Sequence, residues 1–262
     1  MIPVLARSGY AARGVVYSII AWFALLAAFG AGQPMGSQDA LAKLLAQPFG
    51  GLLVLAMVLG LFCFALWRLA QAGWDTDAYG RSPLGLLIRA GLVGSALAHA
   101  ALALFALALL LSLSLSLGEG GEGERSLFGM VAGSPPALLA IAALVGGVGL
   151  GHFVMSWHLS FERSLPARPD LRAVCRTLGR TGLVARGIVF LLIAGLLAVG
   201  AFRVIQSDGG PPTMRDALEF LQTLPAGPLW LGLIGAGLLA FALYCFAEAA
   251  FRRIDLRLDD LT

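Results

Sequence analysis

The sequence predicts an all-α integral membrane protein: six transmembrane helices as three parallel two-helix repeats around a pseudo-threefold axis, with short interfacial helices on the outer side. Three observations carry this. Hydrophobic residues make up 59% and charged residues 13% of the 262-residue chain, with a mean hydropathy of +0.86, whereas soluble domains carry about 25% charge. One motif is used three times: LARSGYAARGVVY (Leu5 to Tyr17) returns as LGRTGLVARGIVF (Leu178 to Phe190) and, more changed, as LIRAGLVGSALAH (Leu87 to His99). Finally, basic residues alternate in density between successive connections, as a chain crossing a bilayer repeatedly requires.

Each apolar run is long enough to cross the hydrocarbon, which takes about 20 residues of helix. Span one runs roughly Tyr10 to Gly30. A basic start followed by an apolar run also describes a signal peptide, but the same segment recurs internally, so it is expected to belong to the fold. Gly36 to Gly50 is too short to span. Its Leu41, Leu44 and Leu45 share one face, which predicts an interfacial helix ended by Pro48. The third copy repeats it as Thr213 to Gly227, aligning Asp39 with Asp216 and Pro48 with Pro225, and Thr213 followed by Asp216 reads as a capping box. The second copy keeps only a glycine-rich acidic stretch, Gly118 to Glu124, and Leu127 to Val131.

Span two is Gly51 to Ala70, with Trp67 and Arg68 near its end. Its Gly60, Leu61 and Phe64 align with Gly149, Leu150 and Phe153 of span four and with Gly237, Leu238 and Phe241 of span six. Span three, Leu86 to Leu117, exceeds the bilayer and should tilt or protrude. Its LSLSLSL end alternates like a strand, but an open strand edge in lipid leaves backbone groups unsatisfied, so a helical extension is expected. Spans four, five and six are about Pro136 to Phe161, Leu183 to Val204 and Leu229 to Phe251. The whole chain, 1–262, is thus one membrane domain, with repeats at 5–74, 84–163 and 178–252.

Fourteen of the 18 basic residues lie on the side of the termini and of the loops after spans two and four, and four lie opposite. The positive-inside rule then puts both termini in the cytoplasm of a bacterial inner membrane. Two spans per copy make all copies insert in one direction. These are parallel repeats, without the inverted symmetry that many alternating-access transporters use.

The pattern R-x-G-x-x-A-R-G-[VI]-V-[YF], then an Ala-Leu segment before Pro-x-Gly, then G-L-x-x-F, resembles the domain of unknown function 1206 family of bacterial membrane proteins. That resemblance covers essentially the whole chain and implies three two-helix units in a membrane. Copy two departs, with Ser95 and Ala96 where Arg13-Gly14 and Arg186-Gly187 stand. No activity, substrate or catalytic residue comes with the family.

Arg7, Arg89 and Arg180 align at one depth and read as membrane-edge anchors. Gly9, Arg13 and Tyr17 share a helix face, as do Gly91, Ser95 and His99, and Gly182, Arg186 and Phe190. The small residue opening each face lets another backbone approach, so Arg13 and Arg186 point toward protein, where a charge needs a partner. Aligning the second helices offers Gln71, Ser160 and Glu248 at one position. The expected structural clamp is therefore an Arg186–Glu248 ion pair and an Arg13–Gln71 contact, each within its own hairpin.

All three histidines lie in copy two. His99 and His152 fall at similar depth on consecutive antiparallel helices, a candidate intramembrane site. Such a pair suits b-type haem or a proton relay, or a hydrogen-bonded packing role, and His158 faces elsewhere. Gly147 and Gly151 give a weak small-xxx-small match. Cys63, Cys175 and Cys245 form no metal or disulfide pattern; Cys175 falls in a basic loop, Arg163 to Arg180, that could touch anionic headgroups. There is no Walker loop, G-x-S-x-G, H-E-x-x-H or dinucleotide fingerprint, so no catalytic residue, metal or cofactor is expected and an enzyme is the poorest reading. The leading reading is a structural or accessory membrane protein that binds lipid or a small apolar molecule, or supports a membrane-protein partner, with no nucleic acid. The alternative is a small-molecule transporter or channel. A polar cavity at the axis would favour transport, and a packed apolar axis the leading reading.

Overall fold

The computed structural model describes residues 2–77, 79–115, 134–158, 169–203 and 213–252. Eight helices and no strand are found among them. They are α1 (Ile2–Ala28), α2 (Ser37–Leu45), α3 (Gly50–Trp74), α4 (Pro83–Leu115), α5 (Pro135–His158), α6 (Pro169–Arg203), α7 (Met214–Thr223) and α8 (Gly227–Phe251). Six of these, all but α2 and α7, hold apolar segments long enough to cross a membrane. The protein is therefore a multi-pass helical membrane protein.

The described part of the LSLSLSL segment is helical up to Leu115, which keeps its backbone groups satisfied within the helix. The expected loop before span five is shorter than anticipated, because α6 begins at Pro169, a residue suited to the first turn. Cys175 consequently lies on a helix and is buried, not in a loop. The acidic and apolar pieces at Gly118–Glu124 and Leu127–Val131, and Ser160, lie outside the described residues.

The most extensive helix contacts are α1 with α8, α5 with α6, and α3 with α4; α1 with α3 and α6 with α8 come next. Two glycines of the repeated motif divide this work. A Cβ at Gly9 would lie 2.7 Å from Phe64 Cα, and one at Gly182 would lie 2.6 Å from Phe241 Cα, so α1 crosses α3 backbone to backbone just as α6 crosses α8. Gly60 and Gly237 return the favour, since added Cβ atoms there would meet those of Ala12 at 2.5 Å and Ala185 at 2.4 Å. The later glycine of each motif faces a different helix: Gly14 makes room for the ring of Phe246 and Gly187 for that of Phe153. Only hydrogen in place of a side chain permits such approach.

Copy two breaks the rule. Nothing lies within 4 Å of a Cβ built on Gly91, Gly94, Gly147 or Gly151. Gly91 is exposed where Gly9 and Gly182 are buried. Among the described residues, α4 and α5 lack the broad contact that joins α1 to α3 and α6 to α8.

The short helices cover one end of the bundle through apolar faces. Ala40 and Leu41 of α2 are buried, as are Met214, Ala217, Leu218 and Leu221 of α7. Each is started by an aspartate: Asp39 Oδ2 accepts from the Gly36 N–H at 2.9 Å, and Asp216 Oδ2 from the Thr213 N–H and hydroxyl, both at 2.6 Å. This satisfies amides that the first helical turn leaves unpaired. Arg215 links the two helices through Asp39 at 3.5 Å. Each short helix then turns sharply into a long one through a left-handed residue, Phe49 (φ 60°) and Ala226 (φ 59°). The glycine that follows is enforced by space, since a Cβ on Gly50 or Gly227 would run into a backbone carbonyl.

Candidate functional site

Arg13 and Arg186 are each 5% exposed, on the inner faces of α1 and α6. Neither takes the partner expected from alignment. Arg13 lies with its Cζ 5.0 Å from the centroid of Phe64, 4.5 Å from that of Phe241 and 6.0 Å from that of Tyr17. Arg186 lies 4.5 Å from the same Phe241 ring, 5.0 Å from Tyr17 and 5.1 Å from Phe190. Both guanidiniums therefore converge on one cluster of rings, roughly 15 Å along α8 from its end at 1.5 Å per residue. Phe241 is the shared element.

The expected Arg186–Glu248 ion pair and Arg13–Gln71 contact are corrected by a different network. Glu248 forms a buried ion pair with Arg252, one turn on, and Arg252 reaches Asp77 at 3.0 Å. Gln71 donates to Asp77 at 2.6 Å and accepts from Arg68 at 3.0 Å. The side chains of Arg252 and Glu248 are 7% and 5% exposed. The physical reason is local: a residue four positions on lies on the same helix face, so Arg252 meets Glu248 with no reach across the bundle. Tyr10 packs under Arg252, 5.3 Å from centroid to Cζ, and its hydroxyl accepts from the Trp67 indole N–H at 3.2 Å. Burial alone lowers the pKa of Arg252, but Tyr10, Glu248 and Asp77 around it more than reverse this and raise it well above its ordinary value. This cluster ties the end of α8 to the connection after α3, and it is the polar clamp of the molecule.

Among the described residues no carboxylate pairs with Arg13 or Arg186. The buried Nε of each lacks a hydrogen-bond partner. Insertion scales put an arginine at the bilayer centre at about 2.5–3.5 kcal/mol, and a desolvated cation–π contact is worth about 2 kcal/mol. The rings thus offset much of each charge taken singly. Taken together the charges repel, since they are no farther apart than their two distances to Phe241 added. At an effective dielectric of 20 that separation means at least about 2 kcal/mol. The cluster is electropositive and incompletely satisfied.

The remaining expected residues are spread along the bundle. Arg7 and Arg180 are exposed, with Arg180 over the Trp157 ring at 6.0 Å. Arg89 does more than sit at an edge. It donates to the carbonyls of Ala72 at 2.8 Å and Gly73 at 3.0 Å, capping the end of α3, where unpaired carbonyls favour a cation. His99 and His152 engage different partners. Each Nδ1 is 2.7 Å from the carbonyl four residues back, Ser95 and Val148. His99 packs on Phe64 at 4.6 Å and His152 on Phe190 at 5.3 Å. Those two phenylalanines are the ones that carry Arg13 and Arg186, so the histidines form an outer layer of the same aromatic cluster. Sequence alignment missed Arg252 and Asp77, which stand outside the apolar spans, although Arg252's spacing of four from Glu248 was a signal for it.

Two apolar grooves open on the outer surface. One, about 500 Å³, is lined by Ile19, Trp22, Phe23, Leu44 and Leu239, together with Lys43 of α2 and Gln47 just beyond that helix. The other, about 450 Å³, lies among Leu5, Leu66, Trp67, Leu69 and Trp74 at the opposite end of the bundle.

An all-helical multi-pass architecture with paired small-residue crossings and a buried aromatic–arginine cluster defines a class of integral membrane protein. Comparison of the sequence narrows this. The chain belongs to the family described as Domain of Unknown Function (DUF1206), whose model matches residues 8–75 and 181–252. It is 28% identical over 259 residues to the "Uncharacterized protein YxxB" of Bacillus subtilis (strain 168), covering 95% of this chain and 90% of that protein. No solved structure matches it.

Proposed function

We propose that the protein is a structural or accessory component of a bacterial cytoplasmic membrane that holds a phospholipid in the groove between α1, α2 and α8. The observation that carries this is the groove itself: an apolar trough of about 500 Å³ along the membrane-spanning part of α1, with Lys43 and Gln47 among its lining. Its size falls in the range of small-molecule sites, about 300–1,000 Å³. Aliphatic and aromatic walls suit an acyl chain, and the Lys43 ammonium suits a headgroup phosphate. On this reading α2 and α7 lie at the outer interface, where amphipathic helices are stable, and both termini are cytoplasmic, as the basic-residue bias requires.

The three units, 5–74, 84–163 and 178–252, are proposed to surround a pseudo-threefold axis. Support comes from cyclic packing. The first spanning helix of each unit has its most extensive contact with the second of the preceding one: α1 with α8, α4 with α3, and α6 with α5. An aromatic pair marks each junction, Tyr17–Phe241, His99–Phe64 and Phe190–His152; the first members align, and His152 stands one position before the aligned Phe153. One family model matching two regions adds to this. The transporter reading is favoured by one observation, the two buried guanidiniums at the depth of Phe241.

The test is native mass spectrometry of the protein released from nanodiscs. Phospholipid retained by the wild type and lost in K43E supports the reading. Equal retention by both refutes it. Reporter fusions at the C-terminus and after Gly32 test the orientation, with cytoplasmic and external signals expected respectively.

A further inference from the structure

Arg13 and Arg186 ask for something the described residues do not supply. Each is nine-tenths buried or more, each is aimed into the same ring cluster, and the Nε of each lacks a hydrogen-bond partner. Buried cations are ordinarily matched by an anion, and the carboxylates of the polar clamp, Glu248 and Asp77, are already taken by Arg252. The guanidinium group is planar and donates in a fork that matches a carboxylate. The edges of aromatic rings carry partial positive charge and accept an anion beside them. The T-shaped Tyr17–Phe241 pair, at 4.9 Å and 78°, places one ring's edge toward the other's face within this cluster.

Copy two is the least closed side of the bundle, since among the described residues α4 and α5 lack the broad contact of the other two hairpins. Along α4 and α5 four glycine positions, Gly91, Gly94, Gly147 and Gly151, have nothing within 4 Å of an added Cβ. On the same two helices His99 packs on Phe64 and His152 on Phe190. Those rings lie 5.0 Å from Arg13 and 5.1 Å from Arg186. Ser95 stands where the other copies carry arginine, and the further guanidinium on this side, Arg68 at 4.8 Å from the Phe64 centroid, already donates to Gln71. An amphiphile dissolved in the bilayer would find here an opening bordered by small residues, with two guanidiniums behind it.

We propose that Arg13 and Arg186 form a carboxylate-binding site within the membrane, entered laterally between α4 and α5. A fatty carboxylate satisfies both halves of this arrangement: its headgroup meets the guanidiniums and its chain lies in the seam. A small aqueous carboxylate shares the headgroup chemistry alone. The site is separate from the Lys43 groove and stands or falls independently of it.

The experiment uses the full chain in phosphatidylcholine nanodiscs, titrated with palmitate or acetate, each labelled with ¹³C at the carboxyl carbon, and read by the carboxyl resonance. Saturable binding of palmitate is expected, weakened at least tenfold in R13Q and in R186Q and unchanged in R180Q, whose parent residue is exposed. If the Gln variants do not fold, R13K/R186K keeps both charges and removes the fork, and the same tenfold loss is expected. Filling the seam with G91L should weaken palmitate and leave acetate unchanged. Acetate binding as tightly as palmitate, with G91L silent, keeps the arginine site and overturns lateral entry. No saturable binding of either probe, binding indifferent to both arginines, or displacement by chloride at equal concentration overturns the carboxylate assignment.

Discussion

The same substitution, glycine to alanine, should have opposite effects at three aligned positions. At Gly9 the new Cβ would sit 2.7 Å from Phe64 Cα and at Gly182 2.6 Å from Phe241 Cα, whereas at Gly91 it would meet nothing within 4 Å. In all three places alanine gains about 0.8–1 kcal/mol of helix propensity. At Gly91 that gain stands alone. At Gly9 and Gly182 the obstacle is the backbone of another helix, which cannot rotate aside, so the overpacking cost belongs at the upper end of about 1–3 kcal/mol. The net expectation is that G91A stabilises by up to about 1 kcal/mol, while G9A and G182A destabilise by about 2 kcal/mol. Reversible unfolding in mixed micelles, with increasing fractions of denaturing detergent, measures all three on one scale. If G91A proves as damaging as G9A, or if G9A is neutral, the asymmetry between copy two and its neighbours is wrong.

Four further expectations follow from the same geometry. R252Q leaves Glu248 buried, and Asp77 half-buried, without their cation, so unfolding free energy should fall by about 3 kcal/mol, with D77N/R252Q less costly than the two single changes added. D216N should weaken the start of α7 by about 1 kcal/mol, seen as faster amide exchange in its first turn and none elsewhere. G227A should destabilise by about 3 kcal/mol, because the Cβ would lie 2.3 Å from the Gln222 carbonyl oxygen; detergent unfolding checks it. Cys175 and Cys245 are buried and Cys63 partly so. Maleimide should therefore label Cys63 first in native protein, and label all three only after unfolding.

The spanning helices were legible because each is long, apolar and bounded by charge, and the internal alignment was legible because Arg, Gly and aromatic positions recur. The small-residue face was read correctly in copies one and three: Gly9 and Gly182 do admit another backbone. It failed at Gly91, since a motif reports that a glycine is present and not that a partner helix has come to it. The arginine partners were misread for a related reason. Alignment places Arg186 and Glu248 at comparable depth but carries no information on which way around the helix each side chain is drawn. Arg252 decided the matter from one turn beyond. Arg89 looked like an anchor because its sequence context is that of an anchor, and only the path of the chain after α3 brings the Ala72 and Gly73 carbonyls to it.

The pairing of α1 with α8 also sets the order in which this molecule can be completed. The first described helix has its broadest contact with the last described one. At about 5–20 residues per second the interval between their emergence is roughly 10–45 s. During that time the Arg13 side chain is in the membrane without Phe241 to cover it, while Tyr17 and Phe64 are already at hand. The Arg252–Asp77 contact joins the end of α8 to the connection after α3, so closure of the described bundle waits for α8. A chain truncated before α8 loses more than one span: it leaves its first helix without its main neighbour, a state that membrane quality control could recognise by the uncovered charge.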